Sequence, residues 1–474
     1  MSDKDKDLPN HLTKGGPGDK FLGAGKVDTS KWFERVDILE NQIKDQEIWF
    51  CSAPFQQLYT NTKGEWGPCS WAQEDPKGPN IYNTSMEEWF VNNPRLNQLR
   101  NEMITPNSDL TVAKTWCQAC MKQEATYGRS RRQSSLKIQT NDRGLWLPLR
   151  MAVERFKRRG KGSINNRIFE VQIKAFGNEC NLDCYMCQPY DSSTRTKTMN
   201  DLKMSGQTVF DEHALKNGRE LKSIKGETLE SMIDQVVKIA PYIYNLKLIG
   251  GEPLVMKQFY QLLDRIVKTG EAKHIKVKYQ TNMSVLNLEK IKITNFIPEF
   301  DLFEFTVSLD SMGKANNYIR RRSNWDDIVN NIKTVSEYPN VKINVNGTIS
   351  FLSVLRFYEL IDWYNNNVEM FGRDTQINWS QIRGPKKLCA NVLPRELKEK
   401  LIPIYDGFPD IQNVLKESSG KLDYQDTLDY LIQIDNYYKG TKWEMNLFDV
   451  FPELQEFYNS TDSGATQVLK NESN

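Results

Sequence analysis

From about Asn166 onward the apolar positions fall into two periods that take turns along the chain. Short runs of period two read as strands: Ile168 to Phe176, Leu246 to Ile249, Ile275 to Gln280, Leu302 to Leu309, Val341 to Ile349 and Ile377 to Ile382. Helical spacing lies between them, at about 227–240, 256–269, 286–294, 324–338 and 352–366. Regular alternation of this kind predicts an α/β fold with a parallel sheet and crossover helices. Six units fall short of a closed eight-stranded barrel, and function in such a sheet sits at the C-terminal ends of the strands.

The flanks read differently. Residues 1–30 are polar, rich in Gly, Pro, Lys and Asp, and predict a disordered tail. Over 31–135 the apolar content rises. Ile48 to Tyr59 alternates like a strand, turns at Thr62-Lys63-Gly64 and returns through Trp66 to Cys69, so that Cys51 and Cys69 face each other across a hairpin. A helix follows from the Thr84/Ser85 cap through Trp89 and Phe90 toward Leu96 and Leu99. Residues 136–165 form a basic linker carrying Arg150, Arg155, Lys157, Arg158, Arg159 and Lys161, preceded by Arg129, Arg131 and Arg132; such a run reads as a solvated face before it reads as a platform for an anionic partner. Residues 166–385 hold the strand–helix units. The long polar connection 188–224 offers Asp191, Arg195 and Asp211 as contacts. A helical extension, with stripes that read as packing, covers 386–474.

A chain of 474 residues supports two or three domains. With 63 Lys+Arg against 61 Asp+Glu, the net charge of +2 makes no case for nucleic acid or an anionic membrane. The sequence has no run of apolar residues long enough to span a membrane and no apolar core of a signal peptide at its start, so the expectation is a cytoplasmic protein, in the host cytoplasm if viral. Eight cysteines with two C-x2-C pairs read as metal ligands in a reducing compartment. With only three histidines, chemistry built on imidazole starts poorly supported.

The chemistry concentrates at Cys180-Asn-Leu-Asp-Cys184-Tyr-Met-Cys187, just after the first strand. Soft thiolates select zinc, copper(I) or iron-sulfur clusters. A structural zinc site is closed by four ligands, and this run supplies three. Upstream, Cys51, Cys69, Cys117 and Cys120 form a complete set of two pairs. Their spacing alone leaves zinc and an iron-sulfur cluster open, with zinc the commoner use.

The C-x3-C-x2-C run resembles the motif of the radical S-adenosylmethionine (SAM) superfamily, with Met186 where an aromatic residue is usual. That resemblance implies a partial TIM-like barrel of six β/α units. It also implies a [4Fe-4S] cluster on Cys180, Cys184 and Cys187 whose open iron takes SAM. Gly250-Gly251-Glu252-Pro253 is similar to the family's motif for the SAM amino group. By the same resemblance Gln280, Asn282, Ser308, Asp310 and Asn346, at the ends of later strands, are expected near ribose, carboxylate or adenine, and Met186 against adenine. The order Cys51, Gly64, Cys69, then Cys117-x2-Cys120 resembles the twitch version of the SPASM domain, placed here ahead of the barrel, and implies an auxiliary [4Fe-4S] cluster.

The function so implied is reductive cleavage of SAM to a 5'-deoxyadenosyl radical that takes hydrogen from a substrate. The expected substrate is a peptide or protein side chain, in a net oxidation or crosslink, with a flavodoxin- or ferredoxin-like electron donor. Oxidation of a small molecule is a second reading. A metal-stabilised module without catalysis, using its basic stretch on nucleic acid, is a third and predicts strongly salt-dependent binding; the intact cysteine set with Glu252 argues against it.

Overall fold

The computed structural model describes residues 39–73, 78–204, 223–372 and 374–458. The expected tail at 1–30 and Asp211 lie outside them. The described residues fall into two compact units, one drawn from Met1–Tyr59, Trp66–Glu170 and Lys238–Tyr244, the other from Thr60–Glu65, Val171–Val237 and Asn245–Asn474.

The strands expected from the period-two runs are present: β1 (Ile168–Ile173), β2 (Ile243–Leu248), β3 (Lys276–Thr281), β4 (Leu302–Ser308), β5 (Val341–Ile349) and β6 (Ile377–Gln381). Their order in the sheet follows the sequence, and β2 through β6 pair in parallel. Crossover helices at Gly226–Lys238, Lys257–Thr269, Trp325–Ser336 and Phe357–Asn366 explain how parallel neighbours are connected. The Asn324 side chain accepts from the backbone of Asp326 and Asp327 and starts the third of these. This α/β architecture is in keeping with a partial barrel.

The two faces of the sheet differ. Phe303, Phe305, Val307, Ile343 and Val345 are fully buried, each such side chain contributing roughly 1.5–3 kcal/mol. The alternate positions are polar and carry Lys278, Gln280, Glu304, Thr306, Ser308, Asn344 and Asn346.

Three expectations fail locally. Residues 286–294 are no helix: Asn287–Leu288 pairs antiparallel with Ile291–Lys292 around Glu289, whose φ of 53° makes a tight turn. The alternation of Leu286, Leu288, Ile291 and Ile293 fits a small hairpin as well as a helix stripe. In the first unit the strand expected over 48–59 is broken by a helical turn, Ala53–Gln56, begun at Pro54, and only Gln57–Thr60 is extended. The helix expected from Ser85 is likewise split, since Pro94 ends the Glu88–Asn92 turn and starts Pro94–Ile104 under an Asn93 cap.

Where a linker was expected, the first unit has the helices Arg131–Asn141 and Arg143–Arg159. After residue 385 the chain is helical as expected, with its longest helix at Tyr424–Tyr438. Among the described residues no helix is long and apolar enough to cross a membrane.

Candidate functional site

The loop leaving β1 carries Cys180, Cys184 and Cys187 and is held from several strand ends. The Glu252 backbone N–H donates to the Glu179 carbonyl at 2.7 Å. Gly251 allows this approach, because a Cβ there would lie 2.3 Å from the carbonyl oxygens of Asn178 and Glu179. From the end of β3, Asn282 Nδ2 donates to Asn181 Oδ1 at 3.1 Å. From the end of β5, Ser350 accepts the buried Tyr185 hydroxyl at 2.7 Å. Cys184 and Asp183 pair antiparallel with Arg320 and Arg321. Met186 is buried.

Three thiols so close do not titrate alike. The Cys187 thiol donates to the Cys184 sulfur, which holds Cys184 below the usual range and Cys187 well above it. Arg320 Nη1 lies 3.8 Å from Cys184 Sγ and favours the thiolate further. Burial, and then the charges of Cys184 and Glu252, push Cys180 up to about 12. The thiolate is thus more favoured at Cys184 than at the other two sulfurs, and binding metal releases the protons that remain.

Of the expected cofactor residues, the structure aligns three. Gln280, Ser308 and Asn346 share the polar face of the sheet, with Ser308 opposite Asn346 and Gln280 opposite Thr306 in register. Asn378, opposite Asn346 on β6, extends that row; a strand was expected there, and the period of two placed Asn378 on the face of Asn346 once the register was known. The loop lies at the same strand ends.

Glu252 and Asp310 are placed otherwise. The Glu252 carboxylate is buried and accepts from Leu254 N at 3.0 Å, Thr281 Oγ1 at 2.7 Å and Asn282 N at 2.6 Å, and burial raises its pKa. Pro253 opens the helical turn that presents Leu254 N. Asp310, also buried, accepts from Thr348 N at 2.7 Å and pairs with Arg320 Nε at 2.8 Å. Both acids hold strand ends together here. Gly250 packs on Met256 Sδ, 2.9 Å from where a Cβ would sit.

Behind the loop lies a buried network that sequence reasoning missed apart from Arg195. Arg195 pairs with Asp183 at 3.0 Å, both side chains fully buried, and donates to the Tyr185 carbonyl at 2.6 Å and to the Tyr430 hydroxyl. Tyr438 donates to the second Asp183 oxygen at 2.7 Å. Arg321 pairs with Asp435. The helix Tyr424–Tyr438 supplies Tyr430, Asp435 and Tyr438, so the C-terminal extension bears directly on the cysteine loop. No sequence signal separated these tyrosines from ordinary packing. Asp191, another expected contact, pairs with Lys174 at 3.7 Å. Cys389 donates to the Ile382 carbonyl and has no other thiol beside it.

In the first unit Cys51, Cys69, Cys117 and Cys120 are brought within electrostatic reach of one another. Burial and then Cys69 push Cys51 up to about 12; burial and then Cys51 raise Cys117. Their frame is a clamp. Glu124, one helical turn after Cys120, accepts two bonds from Arg132 at 2.8 Å and one from Trp49 Nε1 at 2.9 Å. Arg132 also donates to the Phe50 carbonyl next to Cys51. Among the described residues no group of three or more His, Cys, Asp or Glu is arranged to hold a metal ion, at this set or at the three-cysteine loop.

The radical SAM superfamily model matches residues 175–352, which covers the cysteine loop and β2 through β5. No curated protein matches the chain. Among solved structures it is similar to native anSMEcpe with bound AdoMet, at 17% identity and a TM-score of 0.34, covering 56% of this chain and 66% of that one. It is also similar to Streptococcus suis SuiB bound to S-adenosylmethionine, at 16% identity and 0.34, covering 61% and 60%. A third is SuiB bound to precursor peptide SuiA, at 15% and 0.32, covering 76% and 68%. The chain thus spans under two thirds of the length of the first two, and likeness at this level says nothing of substrate. Residues 175–352 thus match a radical SAM domain, which supports an enzyme, and the chemistry of that superfamily draws on S-adenosylmethionine and an iron-sulfur cluster.

Proposed function

We propose that the protein is a radical SAM enzyme that oxidises or crosslinks a peptide or protein side chain, with Cys180, Cys184 and Cys187 as ligands of a [4Fe-4S] cluster. The observation that carries this reading is the cysteine loop at the C-terminal ends of parallel strands, inside the span that matches the superfamily. The residues suit such a cluster: three converging sulfurs, one already favoured as a thiolate, on a loop fixed by Gly251, Asn282 and Tyr185. When bound, the cluster and SAM supply hydrogen-atom abstraction from an unreactive C–H bond.

The chain's own part is binding, orientation and exclusion of water. Gln280, Ser308, Asn346 and Asn378 present donors and acceptors from one face of the sheet to the polar groups of SAM, and Met186 a soft apolar surface. Glu252, held by Leu254, Thr281 and Asn282, is the acceptor offered to the SAM amino group.

We assign Cys51, Cys69, Cys117 and Cys120 to an auxiliary [4Fe-4S] cluster. All four thiols approach one another, and their order along the chain has the SPASM/twitch pattern. Four protein ligands leave no iron open, which suits electron transfer and a net oxidation, with a flavodoxin or ferredoxin as external donor. The peptide substrate is inferred from the pairing of a radical SAM domain with cysteines of the SPASM/twitch pattern; a small-molecule alcohol is the alternative.

The test is iron, sulfide and zinc per chain after anaerobic reconstitution, with 5'-deoxyadenosine formation from SAM. About eight iron with matching sulfide are expected. Cys184→Ala should abolish 5'-deoxyadenosine and leave about four iron. About four iron plus one zinc in the wild type would make the first unit a structural zinc site. Undiminished 5'-deoxyadenosine from Cys184→Ala would overturn the assignment.

A further inference from the structure

The helix Arg143–Arg159 ends in a charge arrangement that the proposed reaction does not use. Arg155, Arg158 and Arg159 fall at helical spacings of three and four and share a face. With Ser163 and Asn165 they line an open cleft of about 460 Å³. Among the described residues none of the three arginines is ion-paired with a carboxylate. The neighbouring acid, Glu154, pairs with Lys157 at 3.3 Å, and Arg158 Nε reaches only the Glu154 backbone carbonyl.

The opposite wall is fixed. Gly160, with φ 66°, ends the helix in the left-handed conformation and turns the chain back. Gly162 then presses against the helix Pro94–Ile104, where a Cβ would lie 2.4 Å from Arg100 Nη1 and from the Phe90 carbonyl. Its N–H donates to Asn97 Oδ1 at 3.3 Å, and Ile164 is buried. Ser163 is thereby held against Arg155, whose Nη1 donates to its hydroxyl at 3.4 Å.

We propose that Arg155, Arg158, Arg159, Ser163 and Asn165 form a binding site for the phosphate group of a small phosphate ester. Three guanidiniums, a hydroxyl and an amide offer many donors, and no acid lines the cleft. Like charges line one cleft, and Arg155 is held below its usual range by burial and then by Arg159 and Arg158. A phosphate monoester, at nearly two negative charges and with three acceptor oxygens, answers this better than a single carboxylate. None of the lining residues is aromatic, so base stacking along a nucleic-acid strand has no platform.

The experiment is calorimetric titration of the full chain at low ionic strength with inorganic phosphate, then glycerol 3-phosphate, then a 15-nucleotide single strand. One saturable phosphate site is expected, shared by glycerol 3-phosphate. Arg155→Gln and Arg158→Glu should each weaken it about tenfold or more. Arg158 is exposed, so its variant keeps the fold, which circular dichroism verifies. Lys161→Glu, equally exposed but outside the lining, should change affinity less than about twofold. Non-saturable binding, or equal loss in Lys161→Glu, would show a merely solvated basic face and overturn the proposal. So would oligonucleotide binding with a steep salt dependence that phosphate does not displace.

Discussion

The two cysteine regions are framed by the same device at different depths. In the first unit a Glu124–Arg132 pair, its side chains 18% and 10% exposed, ties the helix of Cys120 to the backbone beside Cys51. In the second an Asp183–Arg195 pair, both side chains fully buried, sits directly beside Cys184. Burial changes what such a pair does. A pair that keeps some contact with water leaves a surviving charge partly solvated, whereas a fully buried one is costly to break because the surviving charge is stranded. The frame of the three-cysteine loop is therefore the more costly to break, which suits the proposed cluster with one position open for a ligand. The four-cysteine set, on the proposed reading, needs only closure around its cluster.

The sharpest way to break this comparison is Arg195→Leu. It leaves Asp183 buried with only the Tyr438 hydroxyl and removes the donor to the Tyr185 carbonyl. A loss of about 3–5 kcal/mol in unfolding free energy is expected, read by denaturant titration. The three-cysteine cluster should be lost on reconstitution while the metal of Cys51, Cys69, Cys117 and Cys120 stays. Equal loss of both would show that the frame is not local.

Glu124→Gln is the matching change in the first unit. Burial tends to raise the Glu124 pKa, but the Arg132, Ser130 and Trp49 bonds outweigh it and hold it low. A depressed carboxylate stabilises the fold above its unfolded pKa of about 4.3 and ceases to do so as pH falls through the folded value. The variant should cost about 1–3 kcal/mol at neutral pH and flatten the acid limb of the stability profile. Metal is then lost first from the four-cysteine set. A profile identical to the wild type would remove Glu124 from the frame.

How much of this was visible beforehand follows from the reach of each interaction. The strands and the two cysteine groups were legible because period and spacing are local properties, and all six strand runs appear in the sheet. The polar row was half legible: Gln280, Ser308 and Asn346 were identified by their places at strand ends, but Asn378 joins them only through register. The frame was illegible. Arg195 and Tyr430 lie 235 residues apart, and nothing near Tyr430 or Tyr438 distinguishes a hydroxyl aimed at a buried acid from one at a surface. Glu252 was legible as a motif, while its engagement by Leu254, Thr281 and Asn282 depended on how strand ends meet.

The finest distinction between the regions is electrostatic, and Arg320 is its handle. Its guanidinium lies 3.8 Å from Cys184 Sγ and pairs with Asp310 on its other side. Hydrogen bonds and net charge at the sulfurs set cluster potentials. Removing a positive charge beside a ligand sulfur favours the oxidised, less negative cluster, so Arg320→Gln should lower the potential of the three-cysteine cluster. For a one-electron couple about 60 mV corresponds to ~1.4 kcal/mol, within what one charge-assisted bond contributes. An EPR-monitored redox titration resolves that shift, and the four-cysteine signal should not move. Arg320→Lys keeps the charge without the planar fork and should recover part of the difference. If glutamine leaves both potentials unchanged, Arg320 serves only to pair with Asp310 and the electrostatic contrast between the two cysteine sets disappears.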